Sequence, residues 1–207
     1  MTVEENDPNN NIMAKLPLVI SYLALEDVLK DKLIGEHIEK DKDNGKKIKY
    51  AEILDVNLSK SKTLNFDIEI SFKLKSMMLL YKNSTFGLQV DVSLRLDEKQ
   101  QFIRVDNFEI DSKGLNRITD SILESVVNRL MHNKLKSKLQ LDLVPKLEEQ
   151  LKSMNEKLAN RLQAKDGIHI SGKMENLRLL DLKAKENVLW ILISLNGWGV
   201  IEIDSIS

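Results

Sequence analysis

The sequence predicts an α+β fold in which a long, strongly curved antiparallel β-sheet wraps around long helices from the second half of the chain, after a short N-terminal helix. Hydrophobic and polar residues alternate over Leu64–Lys75 and again over Phe86–Asp97, and a period of two is typical of strands with one apolar face. Between residues 115 and 162 the hydrophobic spacing changes to three and four, which is typical of amphipathic helices. These patterns predict a sheet of long strands packed against helices.

The N-terminal region is predicted to be a polar segment followed by a short helix. Residues 1–13 begin with the polar, acidic stretch MTVEENDPNNN, which is expected to be a disordered leader or linker. A single domain is therefore predicted over residues 14–207. Ser21 is a suitable N-cap for the helix, and Gly35 is a suitable residue for its end.

The strands are predicted to be unusually long. At about 3.4 Å per residue, Leu64–Lys75 and Phe86–Asp97 would each span roughly 40 Å, whereas a usual strand has about five or six residues. Their clean alternation predicts a solvated outer face. Near the C-terminus, Asn196-Gly197 is a turn signal that separates the predicted strands Val188–Leu195 and Trp198–Ile203.

Two consecutive helices are predicted between the strand blocks, over residues 115–138 and 143–163. Asp142 is a suitable N-cap for the second helix, and Pro145 is tolerated in its first turn. The alternative is one long helix with a kink at Pro145. In both cases only one stripe of the helical surface is apolar, so another part of the fold must cover it.

The composition excludes several classes of function. The net charge is −1 and the chain has no cysteine, which argues against nucleic-acid binding and excludes disulfides and thiolate metal sites. His37, His132 and His169 lie in different predicted elements, and none has a partner at metal-binding spacing. Because phosphate-loop and nucleophile motifs are also absent from the sequence, we expect no enzyme activity, no catalytic residues, no metal and no cofactor.

The sequence is compatible with more than one cellular compartment. The longest apolar stretches, Met77–Tyr81 and Val188–Leu195, are far shorter than the ~20 residues that a membrane-spanning helix needs. The first residues lack the basic start and apolar centre of a signal peptide. A cytoplasmic location and a mature chain in another compartment both fit these observations.

A local basic run lies on the first predicted long helix, and it has two interpretations. Solvation of a helix end next to the negative end of the helix dipole is the first. Docking on an anionic membrane is the second. The basic residues are Arg129, Lys134, Lys136 and Lys138.

Three stretches, LPLVISYLALEDVLKDKLIG, LQVDVSLRLDEKQQFIRVDNFEID and GIHISGKMENLRLLDL, resemble the tubular lipid-binding (TULIP) superfamily, which includes the bactericidal/permeability-increasing protein (BPI). More closely, the chain resembles a module of an uncharacterised bacterial envelope family of unknown function placed in that superfamily. The resemblance covers about residues 14 to 204. It implies lipid carriage, a cell-envelope or periplasmic location, and a second TULIP-like module as a neighbour.

Two main hypotheses for function remain open. In the first, the sheet and the long helices enclose an apolar groove for a lipid or another elongated hydrophobic molecule. In the second, the interior is fully packed and the domain is a structural or interaction module, as half of a tandem-domain envelope protein. The candidate ligand-binding residues of the first hypothesis are Leu64, Phe66, Ile68, Ile70, Phe72, Leu88, Val90, Val92, Leu94, Ile122, Val126, Leu151 and Leu158.

Overall fold

The computed structural model describes residues 11–41, 47–78, 83–111 and 140–204. In these ranges the chain forms nine strands and two helices. Their bounds are β1 Asn11–Ser21, α1 Tyr22–Leu33, β2 His37–Asp41, β3 Lys47–Lys60, β4 Ile68–Ser76, β5 Thr85–Asp97, β6 Phe102–Asp111, α2 Val144–Ala159, β7 Leu162–Lys165, β8 Ile168–Ala184 and β9 Val188–Ile203. The predicted helix over 115–138 lies outside the described residues, as do Ile122, Val126, Arg129, Lys134, Lys136 and Lys138.

The strands form two curled antiparallel sheets and not the single sheet that was predicted. The first, which we call the meander sheet, has the order β2-β3-β4-β5-β6, so each strand pairs with its neighbour in sequence. The second, which we call the terminal sheet, has the order β1-β9-β8-β7 and joins the two ends of the described chain. The predicted antiparallel architecture is therefore confirmed.

The two long period-two runs are strands, but the first begins later than predicted. β5 matches the run Phe86–Asp97 within one residue, whereas β4 begins only at Ile68. Leu64 lies in the preceding turn and is 83 % exposed. Asp67 ends that turn, because its carboxylate accepts a hydrogen bond of 2.8 Å from the Leu94 backbone N–H.

The prediction of long core helices is not supported. α2 has 16 residues, ends four residues before the predicted end at 163, and has no buried side chain. Leu143, and not Asp142, occupies its N-cap position, although Pro145 does lie in the first turn. α2 packs mainly along β8. Most of the helix therefore lies along one strand of the terminal sheet, while Val144 and Leu147 near its start pack against the described core.

The short helix α1 contributes buried side chains to the described core, whereas the α2 side chains that touch it are only partly buried. Ser21 is its N-cap and accepts a hydrogen bond from the Ala24 N–H, as predicted. Tyr22 fixes its start to the β8–β9 turn, because the Tyr22 hydroxyl donates to the Lys185 carbonyl oxygen at 2.7 Å. Burial in this contact raises the pKa of Tyr22 to about 12. On the other side, the Glu26 carboxylate accepts the Leu58 N–H of β3 at 2.7 Å, so α1 links the two sheets.

The N-terminal boundary also differs from the prediction. β1 begins at Asn11 and pairs with β9 along its whole length, so residues 11–13 belong to the sheet and not to a leader. Pro17 lies inside this strand, opposite Leu192. β1 is at the edge of the terminal sheet, where a missing N–H on the free side breaks no ladder.

β9 is one continuous strand through Asn196-Gly197, so the predicted turn at this pair is wrong. Gly197 pairs with Met174 of β8, and a Cβ at Gly197 would collide with the Lys173 carbonyl oxygen. A Cβ at Gly172 would collide with the Trp198 carbonyl oxygen in the same way. These glycines are required by the close approach of the two backbones, not by a turn.

The terminal sheet has two halves and two faces. We call residues 188–195 of β9 and their partners the near half, and residues 196–203 and their partners the far half. In the near half, Leu189, Ile191, Ile193 and Leu195 point to the inner face and are at most 8 % exposed. They pack toward α1 and the meander sheet. The alternate residues of β9 point to the outer face, away from that core.

Candidate functional site

The predicted ligand-binding residues of the meander sheet lie in a well-packed core. Six of them have exposures of 6 % or less: Ile68, Ile70, Phe72, Leu88, Val90 and Val92. Phe66 and Leu94 are half-buried, and Leu64 is exposed. The cavity beside Ile68 and Ile70 has a volume of about 20 Å³, which is room for roughly one water molecule. Ligand binding by these residues stays a prediction.

A much larger groove lies elsewhere, between α2 and the outer face of the far half of the terminal sheet. Its volume is about 1320 Å³, and it is open to solvent along its length. Leu151, one of the predicted binding residues, is half-buried in its wall, whereas Leu158 does not line it. The lining residues are Glu148, Leu151, Lys152, Asn155, Glu156, Ala159, Ser171, Gly172, Lys173, Met174, Glu175, Asn176, Leu177, Arg178, Asn196, Trp198, Val200 and Glu202.

The wall of the groove is held by the side chain of Asn155. β7 pairs with β8 only up to Ile170, so on this side of β8 no described strand continues the terminal sheet beyond that residue. Asn155 of α2 takes the place of a strand there: its amide nitrogen donates to the Met174 carbonyl oxygen at 2.7 Å, and its amide oxygen accepts the Met174 N–H at 2.8 Å. Both backbone groups are thereby satisfied, and α2 is fixed along the groove.

A second amide closes the same strand edge at the near end. Gln101, in the β5–β6 turn, accepts the Leu179 N–H at 2.7 Å and donates to the Leu179 carbonyl oxygen at 3.4 Å. This contact joins the meander sheet to β8. The part of the β8 lining from Met174 to Arg178 is therefore held between two side-chain amides.

The groove has an apolar floor and a charged rim. Trp198, Val200 and Leu151 contribute the floor. On the rim, Lys173 pairs with Glu175 at 3.2 Å, and Glu202 pairs with Arg161. Four rim residues make no ion pair within the described ranges: Glu148, Lys152, Glu156 and Arg178. Such a groove suits an elongated molecule with an apolar part and a polar or charged part.

The arrangement offers no sign of metal chemistry in the described residues. No group of three or more His, Asp or Glu side chains there is placed to hold a metal ion. His169 lies at the far end of β8, where its Nε2 is 3.1 Å from the Asp204 carboxylate. In the same ranges, no helix has both the length and the hydrophobicity needed to span a bilayer.

The groove has almost no signature in the sequence. Its residues come from one helix and two strands that are separated in sequence, so no local motif marks it. The best available signal was Trp198. It is a large aromatic residue that alternates with the apolar inner-face residues of β9, so it lies on the opposite, outer face of the strand. Its neighbours Asn196 and Gly197 had instead suggested a turn.

The comparison with protein families matches residues 2–201 to the model described as "Domain of unknown function (DUF4403)". The chain belongs to the DUF4403 family. The predicted membership in a family of unknown function is therefore confirmed. No curated protein matches this DUF4403 domain. No solved structure matches it either.

Proposed function

We propose that this DUF4403 domain is a non-enzymatic binding module that holds a lipid or a similar elongated hydrophobic molecule in the groove beside α2. The observation that carries the proposal is the groove itself, about 1320 Å³ between a helix and a curled sheet. Ligand pockets for small molecules are typically about 300–1,000 Å³. A groove above that range, open along its length, suits a long ligand better than a compact one.

The lining supports an amphipathic ligand. Burial of an acyl chain against Trp198, Val200 and Leu151 would contribute about 0.8 kcal/mol per methylene. Arg178 and Lys152 on the rim, which make no ion pair within the described ranges, would pair with an anionic head group. The ligand is therefore proposed to place its chain on the floor and its head at the rim.

We also propose that the domain is a relative of the TULIP superfamily. Two curled antiparallel sheets are compatible with a relative of the TULIP superfamily, and the three stretches quoted above resemble it. With that assignment we propose the cell envelope as the location and a second TULIP-like module as a partner. Lipid carriage follows from this resemblance and from the groove together.

One observation favours the second candidate, a packed structural or interaction module. The space between the sheets beside Ile68 and Ile70 is only about 20 Å³, so the described core is nearly filled by its own side chains. In this alternative, the groove beside α2 is a surface feature that binds no lipid.

Uptake of a fluorescent fatty acid separates the two candidates. In Ser171→Trp, a large side chain enters the groove from the outer face of β8, and we expect apparent affinity to fall about tenfold, an effect worth 1.4 kcal/mol. Ser59→Trp is the matched control, because Ser59 is exposed on β3 outside the groove. Native mass spectrometry of protein purified without detergent provides the second readout.

The outcomes are distinct. Lipid bound to the wild type, with uptake lost in Ser171→Trp and kept in Ser59→Trp, supports the groove. Loss caused by Val90→Trp in a protein that still folds, with no effect of Ser171→Trp, would move the site to the core face. A wild type that carries no lipid and takes up no probe contradicts the proposal and supports the packed module.

A further inference from the structure

The outer face of the near half of the terminal sheet carries an apolar centre. Val19 of β1 lies opposite Trp190 of β9, and Pro17 lies opposite Leu192. Val19 is 55 % exposed, Pro17 is exposed, and Trp190 and Leu192 are half-buried. These four side chains share one face, because β1 and β9 pair without a register shift. We call them the outer patch.

Basic side chains lie at both ends of the outer patch. Lys183 is the β8 neighbour of Trp190, and the ammonium groups of Lys183 and Lys185 lie 5.7 Å and 5.2 Å from the centre of the Trp190 ring. Both distances are within the range of a cation–π contact. At the other end, Lys15 and Arg178 are the two neighbours of Ser194.

The charge of this surface differs from the charge of the chain. Among the described residues close to the outer patch, four are basic and two, Asp181 and Glu186, are acidic. Asp181 pairs with Lys183 at 3.2 Å, while Lys15 and Arg178 make no ion pair in the described ranges. The surface is therefore positive on a chain whose net charge is −1, so it complements an anionic partner.

We infer that the outer patch docks this domain on the surface of an anionic lipid bilayer. Tryptophan favours the interface between lipid and water, and Val19, Pro17 and Leu192 give it apolar neighbours that can enter the head-group region. Lysines around such a centre are attracted to anionic lipids. Three of the four basic groups are lysines, whose compact charges suit a diffuse anionic surface better than the paired geometry of a nucleic acid or phosphopeptide site.

The outer patch and the groove occupy the same face of β9. Trp190 and Leu192 continue along the strand through Ser194 and Asn196 to Trp198 on the groove floor, with the same alternation. Docking would therefore bring the Asn196–Arg178 end of the groove close to the lipid head groups. This last step rests on the proposed function, whereas the docking itself does not.

The docking is tested with phosphatidylcholine vesicles prepared with and without phosphatidylserine. We expect the wild type to sediment with the anionic vesicles and to be released by added salt. The double variant Lys183→Glu/Lys185→Glu should bind at least tenfold more weakly. The double variant Lys49→Glu/Lys73→Glu is the control, because both lysines are exposed on the meander sheet and the change in net charge is the same.

The two tryptophans of the chain provide an internal control, since one lies in each candidate site. In Trp198→Phe the remaining Trp190 should shift its emission to shorter wavelength when anionic vesicles are added. In Trp190→Phe, which retains Trp198, the shift should be lost. A fatty-acid probe without vesicles reports on the groove alone, so failure of the groove leaves this result unaffected.

Three results would overturn the inference. The first is a wild type that does not bind anionic vesicles. The second is equal loss in the two double variants, which would mean non-specific attraction. The third is vesicle binding with no change in Trp190 emission, which would place the contact elsewhere. If the patch variant instead loses affinity for an acidic protein while vesicle binding is unchanged, the surface is a protein interface and the bilayer is excluded.

Discussion

The near and far halves of the terminal sheet are built from the same strands β1, β8 and β9, and they differ in what covers their inner faces. In the near half, Ile191 is fully buried beneath α1 and the meander sheet, while in the far half Ile201 and Ile203 are 68 % and 57 % exposed. The same period of two runs through both halves of β9. Alternation therefore tells which residues share a face, but not whether that face has a neighbour.

On the outer face of the terminal sheet, it is the far half that has a described neighbour. In the far half, α2 lies beside the outer face and makes the groove, whereas the outer face of the near half bears the outer patch, in which Val19 and Pro17 are exposed. The strands are longer than the layer that packs on them. A single strand such as β9 thus has a buried inner face in one half and an exposed inner face in the other. The predictions below test that division.

The largest expected difference is between charges placed on the two inner halves. Ile191→Asp buries a carboxylate among apolar side chains and should lower the free energy of unfolding by about 4 kcal/mol or more. Ile201→Asp places the same group in water and should change it by no more than about 0.5 kcal/mol. Urea denaturation of both variants is the measurement, and similar losses would mean that the far half is covered in solution.

The next largest effect is expected at the glycine between the halves. In Gly197→Ala the new methyl group meets the β8 backbone, which cannot move away cheaply, so we expect a loss of about 1–3 kcal/mol. Gly87→Ala is the control, because its Cβ would find only the Phe72 carbonyl oxygen, at 3.9 Å. That variant should be neutral or slightly stabilising, by about 0.5–1 kcal/mol. A harmless Gly197→Ala would show that the strands do not approach this closely.

A smaller effect is expected where α2 meets the far half. Asn155→Leu removes both side-chain hydrogen bonds to Met174, and because water in the groove can reach the two backbone groups, the loss should be about 1 kcal/mol. Hydrogen exchange should become faster at the Met174 amide and leave Leu189 unchanged. Asn160→Leu is the matched variant, since Asn160 bonds only within its own helix. Unchanged exchange at Met174 would contradict the amide contact.

The smallest effect is an alkaline titration in the near half. Burial, followed by the nearby Asp67 and Glu186 carboxylates, raises the pKa of Tyr22 from 10.0 to about 12. The unfolded chain therefore ionises first, so this contribution to stability is complete below about pH 10 and decreases as the pH rises towards 12. Tyrosinate absorbance should show a late step that Tyr22→Phe removes. A late step that persists in Tyr22→Phe belongs to another residue.

The strands were predictable because a strand with one buried face requires apolar residues at every second position. Val90 and Val92 of β5 illustrate this, since both are inward-facing and fully buried as the alternation indicates. β1 was missed because Pro17 lowers strand propensity, and only the sheet shows that it lies on an edge. The length of β4 was overestimated because Leu64 continues the alternation into a turn that Asp67 closes with a side-chain hydrogen bond.

The role of α2 could not be predicted from its stripe. Leu147, Leu151 and Leu158 have helical spacing, but spacing does not distinguish a helix in the core from one beside a strand edge. Asn155 decides the position, and its two hydrogen bonds reach a strand 19 residues away in sequence. The groove exists because this contact holds α2 beside β8. It could therefore be identified only from the structure.

Pro17 also bears on how the molecule behaves at high concentration. The Tyr22 N–H is bonded to Asn187, so the even-numbered N–H groups of this segment point to β9 and the odd-numbered ones point outward. An added strand from another molecule would meet donors at Lys15 and Val19 but none at Pro17 between them. The exposed edge therefore offers an interrupted template, which is a known protection against edge-to-edge polymerisation and fibre growth.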